Sequence, residues 1–124
     1  MAKWVNDVVL DTMLDEIAES NTLLVCSTQP ADRTAALAAA LADVAVTPGA
    51  GNGDFTISNG DTSGRKLTIA QQDNFEVDTS GTATHVALID GTRLLYVTTC
   101  VSQALVDGNN VTTPAWDIEV ADPS

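Results

Sequence analysis

The chain has few aromatic and few basic residues, and both shortages limit what it can be. Phe, Trp and Tyr make up 4% of 124 residues, so the 44% hydrophobic content must be mainly alanine, valine, leucine and isoleucine. Five Lys and Arg against seventeen Asp and Glu give a net charge of −12. Nucleic-acid phosphates and anionic membrane surfaces both need clusters of Lys and Arg. The composition therefore argues against both partners, and it favours either high solubility or a basic partner surface.

Long apolar runs are also missing. No stretch approaches the roughly 18 apolar residues that indicate a membrane-spanning helix. The opening MAKWVNDVVLDTMLDEIAES contains acids from Asp7 onward and no uninterrupted apolar segment, unlike an export signal. We therefore expect a protein made in a cytoplasm without export. Its length is that of one domain, residues 1–124.

Only one histidine and two cysteines are available for chemistry. Cys26 and Cys100 show no Cys-x-x-Cys or Cys/His spacing typical of zinc sites. We interpret them as buried free thiols, with a single disulfide as the alternative. His85 alternates with Val86 and Leu88, and no spacing pairs it with a nucleophile. We therefore predict a structural histidine, no enzyme activity and no cofactor.

Three further patterns resemble functional motifs without meeting their requirements. Asp-Thr-Ser-Gly occurs at 61–64 and 78–81, but the aspartic-protease loop has no such extra serine. The loop GAGNGD (49–54) precedes a strand-like run, whereas phosphate-binding loops precede a helix. DGNN (107–110) has no EF-hand spacing, which leaves incidental calcium binding as its alternative. All three are interpreted as turns or loops.

The first predicted element is an amphipathic helix over residues 7–19, with Asn6 as its N-cap. Apolar residues recur at the steps that one helix face requires; they are Val5, Val9, Leu10, Met13, Leu14 and Ile17. Acidic residues form the opposite stripe, which comprises Asp7, Asp11, Asp15 and Glu19. Because like charges at i,i+4 repel, we expect this stripe to face solvent or something basic.

The remaining pattern predicts an α+β fold. A short strand over 22–28 and an alanine-rich helix over 31–46, capped by Asp32, complete a helix–strand–helix segment within residues 1–47. The candidate strands that follow are 54–58, 65–71, 74–78, 83–90, 93–100, 110–113 and 115–121. We expect the two helices to pack on a mainly antiparallel β-sandwich or open barrel over 54–124, with the 83–100 hairpin near its centre.

Two segments carry a resemblance to a known family: MAKWVNDVVLDTMLDEIAESNTLLVCSTQP at the start of the sequence and THVALIDGTRLLYVTTCVSQALVDGNNVTTPAWDIEV near its end. The first is similar to the opening helix, strand and Gln-Pro stop, and the second to the closing strands, of small virion structural proteins of tailed bacteriophages. The resemblance implies a non-enzymatic virion protein. Its partners would be the major capsid protein and copies of itself, as expected of a capsid decoration (cement) subunit. A tail- or fibre-associated protein is the alternative, although collagen-like and coiled-coil rods typical of fibres are missing.

Partner contacts are predicted on the termini, the acidic helix face and the glycine-rich loop, because such segments become ordered when they dock. The residues assigned are Trp4, Asp11, Asp15, Pro48, Gly49, Gly51, Asp122 and Pro123. A small carbohydrate- or ligand-binding β module is the alternative from another class. Its aromatic candidates are Trp4, Tyr96 and Trp116, although Trp116 alternates with apolar residues and is expected in the core.

Overall fold

The structure, a computed structural model, describes residues 5–121. Within that range the helices are α1 (Asp7–Ile17) and α2 (Arg33–Ala39). The strands are β1 (Thr22–Cys26), β2 (Ala40–Ala45), β3 (Phe55–Asn59), β4 (Arg65–Ile69), β5 (Gln72–Glu76), β6 (Gly81–Ile89), β7 (Leu94–Leu105), β8 (Asn110–Thr113) and β9 (Trp116–Val120). Every strand pair is antiparallel, and the predicted α+β class with a sandwich-like arrangement is confirmed.

The strands form one larger and two smaller sheets. The four-stranded sheet has the order β2-β1-β6-β7, and the smaller sheets are β3-β4-β9 and β5-β8. A bridge between Ala42 and Val77 connects β2 to the chain just after β5. At the opposite edge, β7 has no described strand partner except β6. The sandwich is therefore joined along one side and open along the other.

The main core lies between the sheets and is closed by α1. Its fully buried members include Leu14, Leu23, Phe55, Leu67 and Leu88. A smaller cluster lies on the other face of the four-stranded sheet, beneath α2, and consists of Leu24, Cys26, Ala36, Ala87 and Ile89. The two interior strands β1 and β6 are thus covered on both faces, which accounts for their nearly continuous apolar sequence.

The alanine-rich helix is shorter than predicted. Asp32 caps it as expected, accepting the Ala35 N–H at 2.7 Å, but the helix ends at Ala39. The segment Ala40–Ala45 instead forms β2 and pairs with the whole of β1. Alanine's helix preference is at most about 1 kcal/mol per residue, so ladder hydrogen bonds and burial of Leu41 outweigh it. The predicted helix over 40–46 is therefore wrong, and the first 47 residues supply two strands of the main sheet.

The 83–100 hairpin is central in only one of its strands. β6 lies inside its sheet, but β7 is an edge strand and continues to Leu105. The pairing of β6 with β7 shifts between Ala83 and His85, so Cys100–Ser102 bulge from β7. Leu95 lies at a second irregularity and is only half-buried. The prediction of a central hairpin thus holds for β6 and is wrong for β7.

Candidate functional site

The helix α1 buries only part of its apolar surface. Asn6 starts it as predicted by accepting the Val8 N–H at 2.8 Å. Leu10 and Leu14 are buried, whereas Val9 and Met13, one turn apart on a neighbouring face, are 60% and 48% exposed. We call Val9 and Met13 the α1 outer face. The apolar arc of this helix is therefore wider than the part of it that packs on the β structure, and Val9 and Met13 lie outside the packed part.

Two arginines fasten acidic side chains of α1 to the β structure. Arg65 on β4 places its Nε 2.7 Å from the Asp11 Oδ1. Arg93, in the loop between β6 and β7, places its Nη2 2.9 Å from the Glu19 Oε2 and also pairs with Glu16. The acidic stripe therefore meets basic groups of the chain itself along part of its length.

Asp90 organises the same β6–β7 loop. Its Oδ1 accepts the N–H groups of Thr92 and Arg93 at 2.8 and 2.6 Å. These hydrogen bonds, first that from Thr92, and the Arg93 guanidinium lower the pKa of Asp90 to about 2. Because the unfolded value is higher, about 3.9, the ionised carboxylate stabilises the folded state above about pH 4. That stabilisation is lost as the pH falls through about 2.

We expect Asp90→Asn to lose this part of the acid sensitivity. Between about pH 4 and pH 2 its free energy of unfolding should fall less than that of the unaltered protein. Urea unfolding at a series of pH values measures the difference. Asp73→Asn, which removes an exposed carboxylate elsewhere, is the matched control and should leave the acid sensitivity unchanged. Identical pH profiles for Asp90→Asn and the unaltered protein would contradict the role assigned to this carboxylate.

The remaining predicted interface residues lie in different places. Those outside the described residues are Trp4, Asp122 and Pro123. Asp15 is exposed on α1 and has no salt bridge with any residue in 5–121, whereas Asp11 is held by Arg65. Pro48, Gly49 and Gly51 belong to the loop before β3, which the Gly49 N–H ties to the Ala18 carbonyl at 2.8 Å. This loop therefore lies at the C-terminal end of α1, at its C-cap residue Ala18.

The charge directed at solvent is almost entirely negative. All four basic residues in the described range have acceptors within the chain, including the two arginines that hold α1. Lys66 Nζ lies 2.7 Å from the Asp61 Oδ1, and Arg33 Nε donates to the Asp90 carbonyl at 2.8 Å. Most acidic side chains in residues 5–121 have no such partner. The surface is therefore complementary to a basic one.

The histidine and the cysteines are held in structural settings. Cys26 is fully buried, and burial, followed by the neighbouring Cys100, raises the pKa of its thiol to about 11, so the nucleophilic thiolate is disfavoured. The Thr84 hydroxyl donates to the Ser27 carbonyl at 2.9 Å and contacts His85 Nδ1 at 2.8 Å. Both cysteines are free thiols, as predicted, although Cys100 is only half-buried.

The described residues form neither a metal site of His, Cys, Asp or Glu side chains nor a helix suited to cross a membrane. Within residues 5–121, no cluster of three or more His, Cys, Asp or Glu side chains is placed to hold a metal ion. Over the same range, no helix has the length and apolar character to cross a membrane. Trp116 is partly buried against the main core, and its ring centre lies 6.0 Å from that of Tyr96.

Comparisons with protein-family models, with curated proteins and with solved structures find no match to this chain. The resemblance to virion proteins therefore stays a prediction. The α1 outer face is the feature that the sequence interpretation missed. Its signal was the width of the apolar arc, which extends from Leu10 and Leu14 across Ile17 to Met13 and Val9 and is wider than one packed face.

Proposed function

We propose that the chain is a non-enzymatic structural subunit of a tailed-bacteriophage particle, bound in many copies to the major capsid protein lattice as a decoration protein. The α1 outer face is the observation that carries this proposal. Neighbouring exposed apolar side chains on a folded domain mark interaction surfaces, whereas single ones need no explanation. The resemblance of both ends of the sequence to virion structural proteins supports the choice of a virus particle as the partner.

The distribution of charge supports a basic contact on that partner. Asp7 and Asp15 lie on the same helix as the outer face, both exposed and without a salt bridge in residues 5–121. A second copy of the chain carries the same net charge of −12, so repulsion opposes self-association as the main use of this face. Contacts between copies would then follow from the symmetry of the lattice on which they sit.

The double substitution Val9→Ser with Met13→Ser tests this contact. Both side chains are exposed, so the free energy of unfolding should change by no more than about 0.5 kcal/mol at each site. If the face is buried on the capsid, loss of its apolar area should weaken binding to particles that lack the chain by about tenfold or more. Sedimentation of purified protein with such particles measures the binding.

Leu37→Ser is the matched control, because Leu37 is an apolar residue with 45% exposure on the other helix. It should bind particles like the unaltered protein. Unchanged binding of the double variant would contradict α1 as the contact. Equal losses in both variants would show that apolar exposure in general, and not this face, governs the binding. A tail- or fibre-associated position is the alternative within the virion class, and the number of copies per particle distinguishes it.

A further inference from the structure

A cleft opens along the unjoined side of the sandwich and has a volume of about 420 Å³. One wall is β7, and the other is β8 with the beginning of β9. Its floor includes Val25 and Val86, which are only 3% and 8% exposed, so the cleft reaches the main core. This volume lies within the range of about 300–1,000 Å³ in which small-molecule sites are found.

The lining is apolar at the floor and polar but mostly neutral at the rim. The neutral polar rim residues include Thr98, Gln103 and Thr112, and Asp117 contributes the one carboxylate among the lining residues. None of the lining residues is basic. In a chain with a net charge of −12, such a site disfavours anionic ligands and suits uncharged ones.

Two polar groups in the cleft wall lack hydrogen-bond partners among the described residues. They are the Thr113 hydroxyl and the Trp116 indole N–H, and both polar atoms are buried. Thr113 as a whole is only 8% exposed. Almost none of the surface of either atom can be reached by a water-sized molecule, so both groups lie behind the lining of the cleft and do not select its ligand.

An edge strand such as β7 can also pair with an extended peptide, which is the alternative occupant of the cleft. The bulge at Cys100–Ser102 interrupts the regular spacing of backbone groups on β7. On the facing wall, Pro114 has no backbone N–H to donate. The two walls therefore do not present a continuous ladder, which favours a compact ligand over a strand.

We propose that this cleft binds a compact, uncharged and mainly apolar molecule. Its apolar surface packs on Val25 and Val86 at the floor, and the neutral polar side chains of the rim surround its exposed end. The cleft shares no residue with the α1 outer face, so this ligand site does not depend on the proposed capsid role.

The neutral fluorophore Prodan is a suitable probe, since it is uncharged and mainly apolar and its emission reports the polarity of its surroundings. We expect saturable one-to-one binding, with the emission shifted to the blue. Cys100→Phe should fill the cleft and weaken binding by about tenfold or more. Val9→Ser, on the α1 outer face, is the control and should bind normally.

Several results would overturn the proposal. One is no saturable Prodan binding by a protein that unfolds cooperatively, and another is undiminished affinity in Cys100→Phe. If Cys100→Phe does not fold, benzyl methanethiosulfonate blocks the cleft instead: the Cys100 thiolate attacks its sulfenyl sulfur, forms a mixed benzyl disulfide and releases methanesulfinate, while Cys26 is protected because it is fully buried. Two other results would assign the cleft to a different class of ligand and contradict the proposal. One is displacement of Prodan only by extended peptides, and the other is binding of neutral oligosaccharides in place of Prodan.

Discussion

Replacing Leu88 with alanine is expected to lower the free energy of unfolding by about 2–5 kcal/mol. Leu88 is fully buried in the main core and lies on β6, between Leu23 of β1 and Tyr96 of β7. Removing its isobutyl group forfeits the apolar burial and leaves a cavity that neighbours paired on both sides cannot close. Equilibrium unfolding in urea, followed by circular dichroism, measures the loss.

Leu95→Ala is the matched control for Leu88→Ala. The chemical change is the same, but Leu95 lies at an irregularity of the edge strand β7 and is half-buried. Its loss should stay below about 1 kcal/mol, nearer to a surface substitution than to a core one. Equal losses at both positions would contradict the placement of β7 at the edge. A loss below about 0.5 kcal/mol at Leu88 would contradict the assignment of the core.

Gly64→Ala is expected to cost about 2 kcal/mol or more, for two separable reasons. Gly64 has a φ of 70°, where a Cβ atom is strained. A Cβ there would also collide with the Val120 carbonyl oxygen and lie 2.9 Å from its carbon. That carbonyl cannot retreat freely, because Val120 pairs with Arg65 in the β4–β9 ladder.

Gly108→Ala separates the two costs. Gly108 also has a positive φ, 88°, but nothing lies within 4 Å of a Cβ built on it. It should therefore lose only the conformational part, about 1–2 kcal/mol. The difference between the two variants, read from the same urea unfolding curves, reports the collision at Val120. No difference would mean that the β4–β9 edge shifts to accommodate a methyl group.

Local patterns were sufficient to predict most elements of this fold. The caps at Asn6 and Asp32 follow from side chains that bond to nearby N–H groups, and the strand-like runs from residue 54 onward follow from alternation and turns. The prediction for the segment 40–45 was wrong because a distant part of the chain determines its secondary structure. Its alanines favour a helix, yet their backbone forms hydrogen bonds with β1. The local sequence contains no information about that pairing.

The candidate site was less predictable, because it depends on which surfaces remain uncovered. Asp11 was expected at an interface, but its carboxylate forms a salt bridge with Arg65, which is 54 positions away in the sequence. The outer face of α1 is a result of tertiary packing: the helix lies against β4 and β7, Leu10 and Leu14 are buried, and Val9 and Met13 stay exposed. The cleft beside Trp116 likewise arises from two sheet edges that do not meet, a property of topology and not of any motif.

Quantitative mass spectrometry of purified phage particles tests the central claim most directly, by counting this chain against the major capsid protein. The particles should come from the virus whose genome encodes the chain, so that the native lattice is present. A capsid decoration subunit should be found in a number comparable to the capsid protein, with hundreds of copies per particle. A handful of copies would place the chain in the tail or at a vertex, and its absence from clean particles would contradict the virion role altogether.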